Sequence, residues 1–174
     1  MDYKFLEIYD SFFTKHLSFH DFMNEMDDYI DNASNDELQY LYDYTTDYPF
    51  FEFDKDMVML TYIYLWMIPN RMNLNYPLSG ADNMYLSFIR SLKEDCKITG
   101  DVELISDNFM NMIYIINNYY LILNISDIDL NISLPNELIN KKAFCINCNE
   151  ELELKNTIEL YPYGFMILEI IKNN

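Results

Sequence analysis

Three groupings in this sequence have residue types and spacings from which chemistry is made. His16 and His20 lie four apart, which on one helix would aim two imidazoles at a single metal ion. Asp21 beside them points elsewhere on such a helix, so no third ligand is marked and the pair reads as surface histidines. Cys145-Ile146-Asn147-Cys148 has the spacing of half a zinc knuckle. A structural zinc site needs four ligands, the remaining cysteine is Cys96, and no histidine follows, so the pair reads as two thiols in a strand or turn. Carboxylates are the third grouping. With 29 Asp and Glu residues their abundance distinguishes none of them. Three glycines leave no glycine-rich phosphate loop, and no nucleophile elbow occurs. On the residues alone no catalytic constellation stands out, and neither a metal nor a cofactor is expected.

Composition narrows the classes further. The 174 residues carry 51% hydrophobic and 17% aromatic side chains, enough for one good core or two small ones. A formal net charge of −18 repels nucleic acid and anionic membrane, and steers a basic partner toward the surface. An odd count of three cysteines argues against a disulfide scaffold and for a reducing compartment. The opening MDYKFLEIYD lacks the basic region of a signal peptide, and the longest apolar run, Met57–Ile68, suits a buried helix better than a membrane span. A cytoplasmic location is expected, so the Asn-x-Ser triplets at Asn32, Asn124 and Asn131 carry no glycosylation argument.

The elements that must position any site divide the chain near residue 97. Phe5, Ile8, Tyr9, Phe12 and Phe13 recur at helical spacing over about residues 3–16. Ser18 with Asp21, and Ser34 with Glu37, are capping pairs that open two more helices. Tyr42–Phe53, with Pro49 inside it, reads as a polar, aromatic connector. Asp54 and Asp56 then precede a nearly all-apolar helix that Pro69 stops. Residues 70–81 read as loop, and 82–94 as a further amphipathic helix. From Ile98 the period changes to that of strands. Met112–Ile116 and Tyr119–Leu123 flank the turn pair Asn117-Asn118, and Leu130–Leu134 alternates before Pro135. Phe144–Ile146, Glu151–Leu154, Ile158–Leu160 and Phe165–Ile171 complete seven or eight short strands, the pattern of an antiparallel sandwich.

The order of features from Asn83 onward resembles the end of the α-amylase-type glycoside hydrolases, especially oligo-1,6-glucosidases and α-glucosidases. NMYLSFIRSLKE (Asn83–Glu94) is similar to the family's last barrel helix, and ITGDVELI (Ile98–Ile105) to the strand after it. The hairpin MIYIINNYYLILNIS, the strand ending in Leu134-Pro135 and the closing LYPYGFMILEI (Leu160–Ile170) follow in the family's order. Upstream, Met57–Pro69 is similar to the apolar helix after the seventh barrel strand, with Asn70 where the family has glycine. Thr45-Thr46-Asp47-Tyr48-Pro49-Phe50 stands where the family carries Asn-His-Asp and a following Pro-Arg. The resemblance therefore makes Asp47 the carboxylate that binds sugar hydroxyls, while Thr46 replaces the histidine and Phe50 the arginine.

What the resemblance implies is α+β: residues 1–97 a helical region, the remnant of a TIM-barrel end, and residues 98–174 an antiparallel β-sandwich-like domain. In the family the nucleophile and the acid/base carboxyl come from earlier barrel strands, before the stretch that matches here, and a retaining glycosidase needs both. The expectation is a truncated relic of an α-glucosidase-type hydrolase, without hydrolysis by itself, that binds an oligosaccharide or a complementing barrel fragment. The competing expectation is an acidic, immunity-like inhibitor of a basic protein such as a nuclease toxin.

Overall fold

A computed structural model describes residues 4–47, 52–68 and 83–172, apart from the side chains of residues 46 and 47. The chain divides into two compact units, Met1–Lys97 and Ile98–Asn174. It is α+β: helices come first, then antiparallel sheets.

Among the described residues of the first unit the regular elements are helical. α1 (Lys4–Phe13) buries the aromatic and aliphatic stripe of Phe5, Ile8, Tyr9, Phe12 and Phe13. Lys15, at φ 61°, reverses the chain after it. Ser18 then caps α2 (Phe19–Asn32): its hydroxyl accepts the Asp21 N–H at 3.1 Å and donates to the Asp21 carboxylate at 2.7 Å. Ser34 and Glu37 repeat the device at α3 (Asn35–Asp47), where Glu37 accepts the Ser34 N–H at 2.8 Å. The bonds from Ser34 hold the Glu37 carboxyl below its ordinary range.

α3 corrects the connector expected from Tyr42. The helix runs on through Tyr42, Asp43 and Tyr44 because Thr45 at its end is fully buried and hydrogen-bonded. Residues 48–51 of that connector, and the loop at 70–81 with Pro69 before it, lie outside the described residues. α4 (Lys55–Met67) starts at Asp54, whose carboxylate accepts the N–H groups of Asp56 and Met57. Ten of its residues are buried, so it is apolar on all sides and forms the middle of the unit. Asn83 caps α5 (Met84–Arg90), which continues into a π-helical turn, Ser91–Asp95. No described helix is long and apolar enough to cross a membrane.

The second unit holds eight strands among its described residues. β1 (Val102–Asn108), β2 (Asn111–Ile116), β3 (Tyr119–Asn124), β8 (Phe165–Ile170), β5 (Lys142–Cys145) and β6 (Glu150–Glu153) lie in that order in one antiparallel sheet. β4 (Leu130–Ser133) and β7 (Thr157–Leu160) form a second, two-stranded sheet. The β2–β3 hairpin turns on Asn117-Asn118 with Ile116 opposite Tyr119, and Asn117 takes the left-handed φ of 57° that asparagine tolerates. A bulge at Ile105 shifts the β1–β2 register.

The second sheet covers one face of the first. Ile132, Leu134, Ile158 and Leu160 pack with Ile113, Ile122, Leu168, Ala143 and Cys145 in one core, closed by Leu138 and Leu154. This is the sandwich-like arrangement that the short alternating strands imply. Strands β2 and β3 are buried along almost their full length, which explains their continuous apolar runs.

Candidate functional site

Asp47 is the last residue of α3, and its side chain lies outside the described residues, as do Tyr48, Pro49 and Phe50. What can be followed is the scaffold that leads to it. Thr45, two residues earlier, is fully buried, and its hydroxyl donates back to the Leu41 carbonyl at 2.7 Å. The Tyr9 hydroxyl meets the same Thr45 oxygen at 2.7 Å, and the Tyr62 hydroxyl donates to the Thr45 carbonyl at 2.8 Å. Asn83 extends the chain: its side-chain N–H donates to the Tyr62 hydroxyl at 2.7 Å, while its Oδ1 accepts the Leu86 N–H at 2.9 Å. One buried polar line thus ties α1, the end of α3, α4 and the start of α5. Burial pushes the Tyr9 phenol far above its ordinary value, so Tyr9 stays a neutral donor or acceptor.

Among the described residues of this unit the aromatic side chains that sugar stacking would require are mostly core. Trp66 is 1% exposed and stacks on Tyr62 with centroids 5.0 Å apart. Phe12 stacks on Phe22 at 4.7 Å, and the Tyr64 hydroxyl bonds the Met23 carbonyl and the Asp27 carboxylate. On the surface of α3, Asn35, Asp36, Leu38, Gln39 and Tyr42 line a groove of about 430 Å³. Planar amides beside a tyrosine edge suit a polar, hydroxyl-rich ligand.

His16 and His20 do not share a helix. His16 sits in the turn after α1, with Nδ1 2.9 Å from the Thr14 hydroxyl, and His20 is in the first turn of α2, facing Asn24 at 3.2 Å. The reversal at Lys15 and the cap at Ser18 break the helical spacing their numbers suggest. Among the described residues no group of three or more His, Cys, Asp and Glu side chains is placed to hold a metal ion.

Cys145 and Cys148 do come together. Cys145 ends β5 inside the core, and Cys148 is exposed in the turn to β6. The Cys148 N–H donates to the Cys145 Sγ at 3.3 Å. Burial, together with the Cys145 thiol and the Glu150 carboxylate, pushes the Cys148 thiol up to about 12.

No family model and no curated protein matches this sequence. Among solved structures, the crystal structure of an alpha-amylase from Anoxybacillus, described as giving insights into a new glycosyl hydrolase subclass, is similar at a TM-score of 0.45 and 14% identity. The likeness takes in 68% of this chain and 33% of the amylase chain.

The polar line through Tyr9, Thr45, Tyr62 and Asn83 escapes a reading of the sequence. The helical stripe places Tyr9 on the buried face of α1, but Thr45 is 36 positions away and nothing in the sequence pairs the two. The nearest available signal is Thr45 falling four residues after Leu41, on the apolar face of α3. The groove on α3 escapes it for a related reason. Asn35, Asp36, Leu38 and Gln39 fall in the part that reads as helix, but Tyr42, which completes the lining, falls where the connector is expected.

Proposed function

We propose that this chain derives from the C-terminal part of an α-glucosidase-type glycoside hydrolase and works as an oligosaccharide-binding protein that hydrolyses no glycoside by itself. The observation that supports the origin most is where the family-like motifs fall. Ile98–Ile105 leads into β1, Met112–Leu123 is the β2–β3 hairpin, Leu134-Pro135 follows β4 directly, and Leu160–Ile170 contains the end of β7 and all of β8. These are successive parts of one unit, and β8 closes the large sheet by entering between β3 and β5.

The chemistry supports the absence of turnover. Double displacement at an anomeric carbon needs two carboxyls about 5–5.5 Å apart, one attacking and one donating a proton. The stretches that resemble the family lie after the strands that carry that pair, so these residues do not supply it. Asp47 alone can hold a sugar hydroxyl through charge-assisted hydrogen bonds but cannot both attack and protonate. The groove of Asn35, Asp36, Gln39 and Tyr42 on the same helix offers amide donors and acceptors with an aromatic edge.

Calorimetric titration with maltooligosaccharides of increasing length tests the binding. Saturable heat with product-free chromatograms is the expected outcome. Absence of heat at millimolar sugar contradicts the binding half of the proposal.

A second reading is favoured by α2. Asp21, Glu25 and Asp28 are exposed at i, i+4 and i+7, and with Asp31 they give that helix an acidic face. An acidic inhibitor of a basic protein would present such a stripe. Association with a basic ribonuclease that slows steeply with salt, and is lost on reversing these three charges, would select this reading over the first.

A further inference from the structure

We propose that Cys145 and Cys148 form a dithiolate site for one soft, two-coordinate cation of the Cu(I) class. The site lies in the turn between β5 and β6. The Asn149 N–H donates to the Cys145 carbonyl at 2.8 Å, and Asn149 itself takes a left-handed φ of 56°. This closes a tight loop in which the Cys148 N–H points at the Cys145 sulfur, 3.3 Å away. A backbone N–H directed at a cysteine sulfur stabilises negative charge on it. Cys148 follows Cys145 by three residues in this loop, so both thiols are carried by one tight turn.

The loop is held from outside. Asn147 grips the neighbouring strand β8 with both ends of its amide: Nδ2 donates to the Phe165 carbonyl at 2.9 Å, and Oδ1 accepts the Ile167 N–H at 2.9 Å. The Ile146 N–H adds a bond to the Ile167 carbonyl at 2.8 Å. A pair of donors fixed this way loses little conformational entropy on capturing an ion.

Ligand type and number choose the ion. Thiolates prefer soft cations such as Cu(I). Two sulfurs satisfy Cu(I), whereas structural zinc takes four ligands. Exposed Cys148 offers the entry, and Cys145, buried among Ala143, Leu168 and Leu154, keeps water from the inner sulfur. Two thiols and one Cu(I) give one bis-thiolate complex of charge −1 and release two protons; no redox step is involved. The Cys145 thiol's weak bond to Asn147 Oδ1, 3.5 Å, is given up with its proton.

The test is an anaerobic titration of the reduced full-length chain with Cu(I) held by a chromophoric chelator. One Cu(I) is expected to transfer per chain, with the same result for Cys96→Ser and no transfer to Cys148→Ser. Cys148 is exposed, so its serine variant keeps the fold, which circular dichroism verifies, and the outcome does not depend on Cys145→Ser folding. Retention of all copper by the chelator, equal transfer to Cys148→Ser, or one ion per two chains overturns the proposal.

Discussion

The Asn124 side chain donates to the Leu160 carbonyl at 3.1 Å, joining the end of the large sheet to the end of the small one across 36 positions. The same Nδ2 reaches the carbonyls of Ile128 at 2.7 Å and Tyr161 at 2.9 Å, while Oδ1 accepts the N–H and hydroxyl of Ser126. Asn124 is fully buried, so five bonds depend on one amide that water does not replace. Asn124→Ala is expected to destabilise the β unit by roughly 3 kcal/mol, as several buried groups lose their partner at once. Urea unfolding followed by circular dichroism measures it; a loss below about 1 kcal/mol would mean that the loop re-pairs.

Gly164 stands where β8 begins and has no room for a side chain. A Cβ there would lie 2.9 Å from the Tyr161 carbonyl oxygen and 3.1 Å from its ring. The Gly164 carbonyl also accepts the Asn124 N–H at 2.9 Å, so backbone cannot shift without straining the Asn124 cluster. Gly164→Ala should cost about 2 kcal/mol by the same assay, the usual scale of overpacking. An unchanged midpoint contradicts the tight turn.

Tyr62 and Tyr9 separate two roles within one polar line. Tyr62→Phe removes the donor to the Thr45 carbonyl and the acceptor of the Asn83 amide together, and should destabilise the helical unit by about 2 kcal/mol. Tyr9→Phe removes one hydroxyl contact from Thr45, which keeps its bond to Leu41, and should cost about 1 kcal/mol. Equal losses would argue against the network.

Tyr9 also sets an alkaline limit. Its folded pKa is raised above the ordinary value of 10.0, chiefly by burial. The unfolded chain therefore gives up this proton first, and stability present below pH 10 falls as pH rises beyond it. Tyr9→Phe should flatten that alkaline decline in thermal midpoint. An identical slope for the variant would show that other groups govern it.

Much of the architecture is legible because its signals are local. Ser18 with Asp21 and Ser34 with Glu37 are capping pairs in the sequence and in the structure. Asn117-Asn118 turns a hairpin because the left-handed backbone it needs suits asparagine. The second half of α3 is not legible. Tyr42, Asp43 and Tyr44 look like loop, and partners distant in sequence hold the chain helical there: Phe5 meets Tyr44, Trp66 meets Tyr42, and Tyr9 and Tyr62 bond Thr45. The entry of β8 between β3 and β5 is a long-range pairing that no spacing encodes. The cysteine pair lies between these cases. Its spacing is visible, whereas the Asn147 clamp on Phe165 and Ile167 is not.

The most direct measurement is turnover of a chromogenic α-glucoside by the purified chain, run beside Asp47→Asn. No release of chromophore above the protein-free rate is expected for either protein, because one carboxylate cannot perform both steps of the displacement. Release by the unaltered chain that Asp47→Asn abolishes would contradict that expectation.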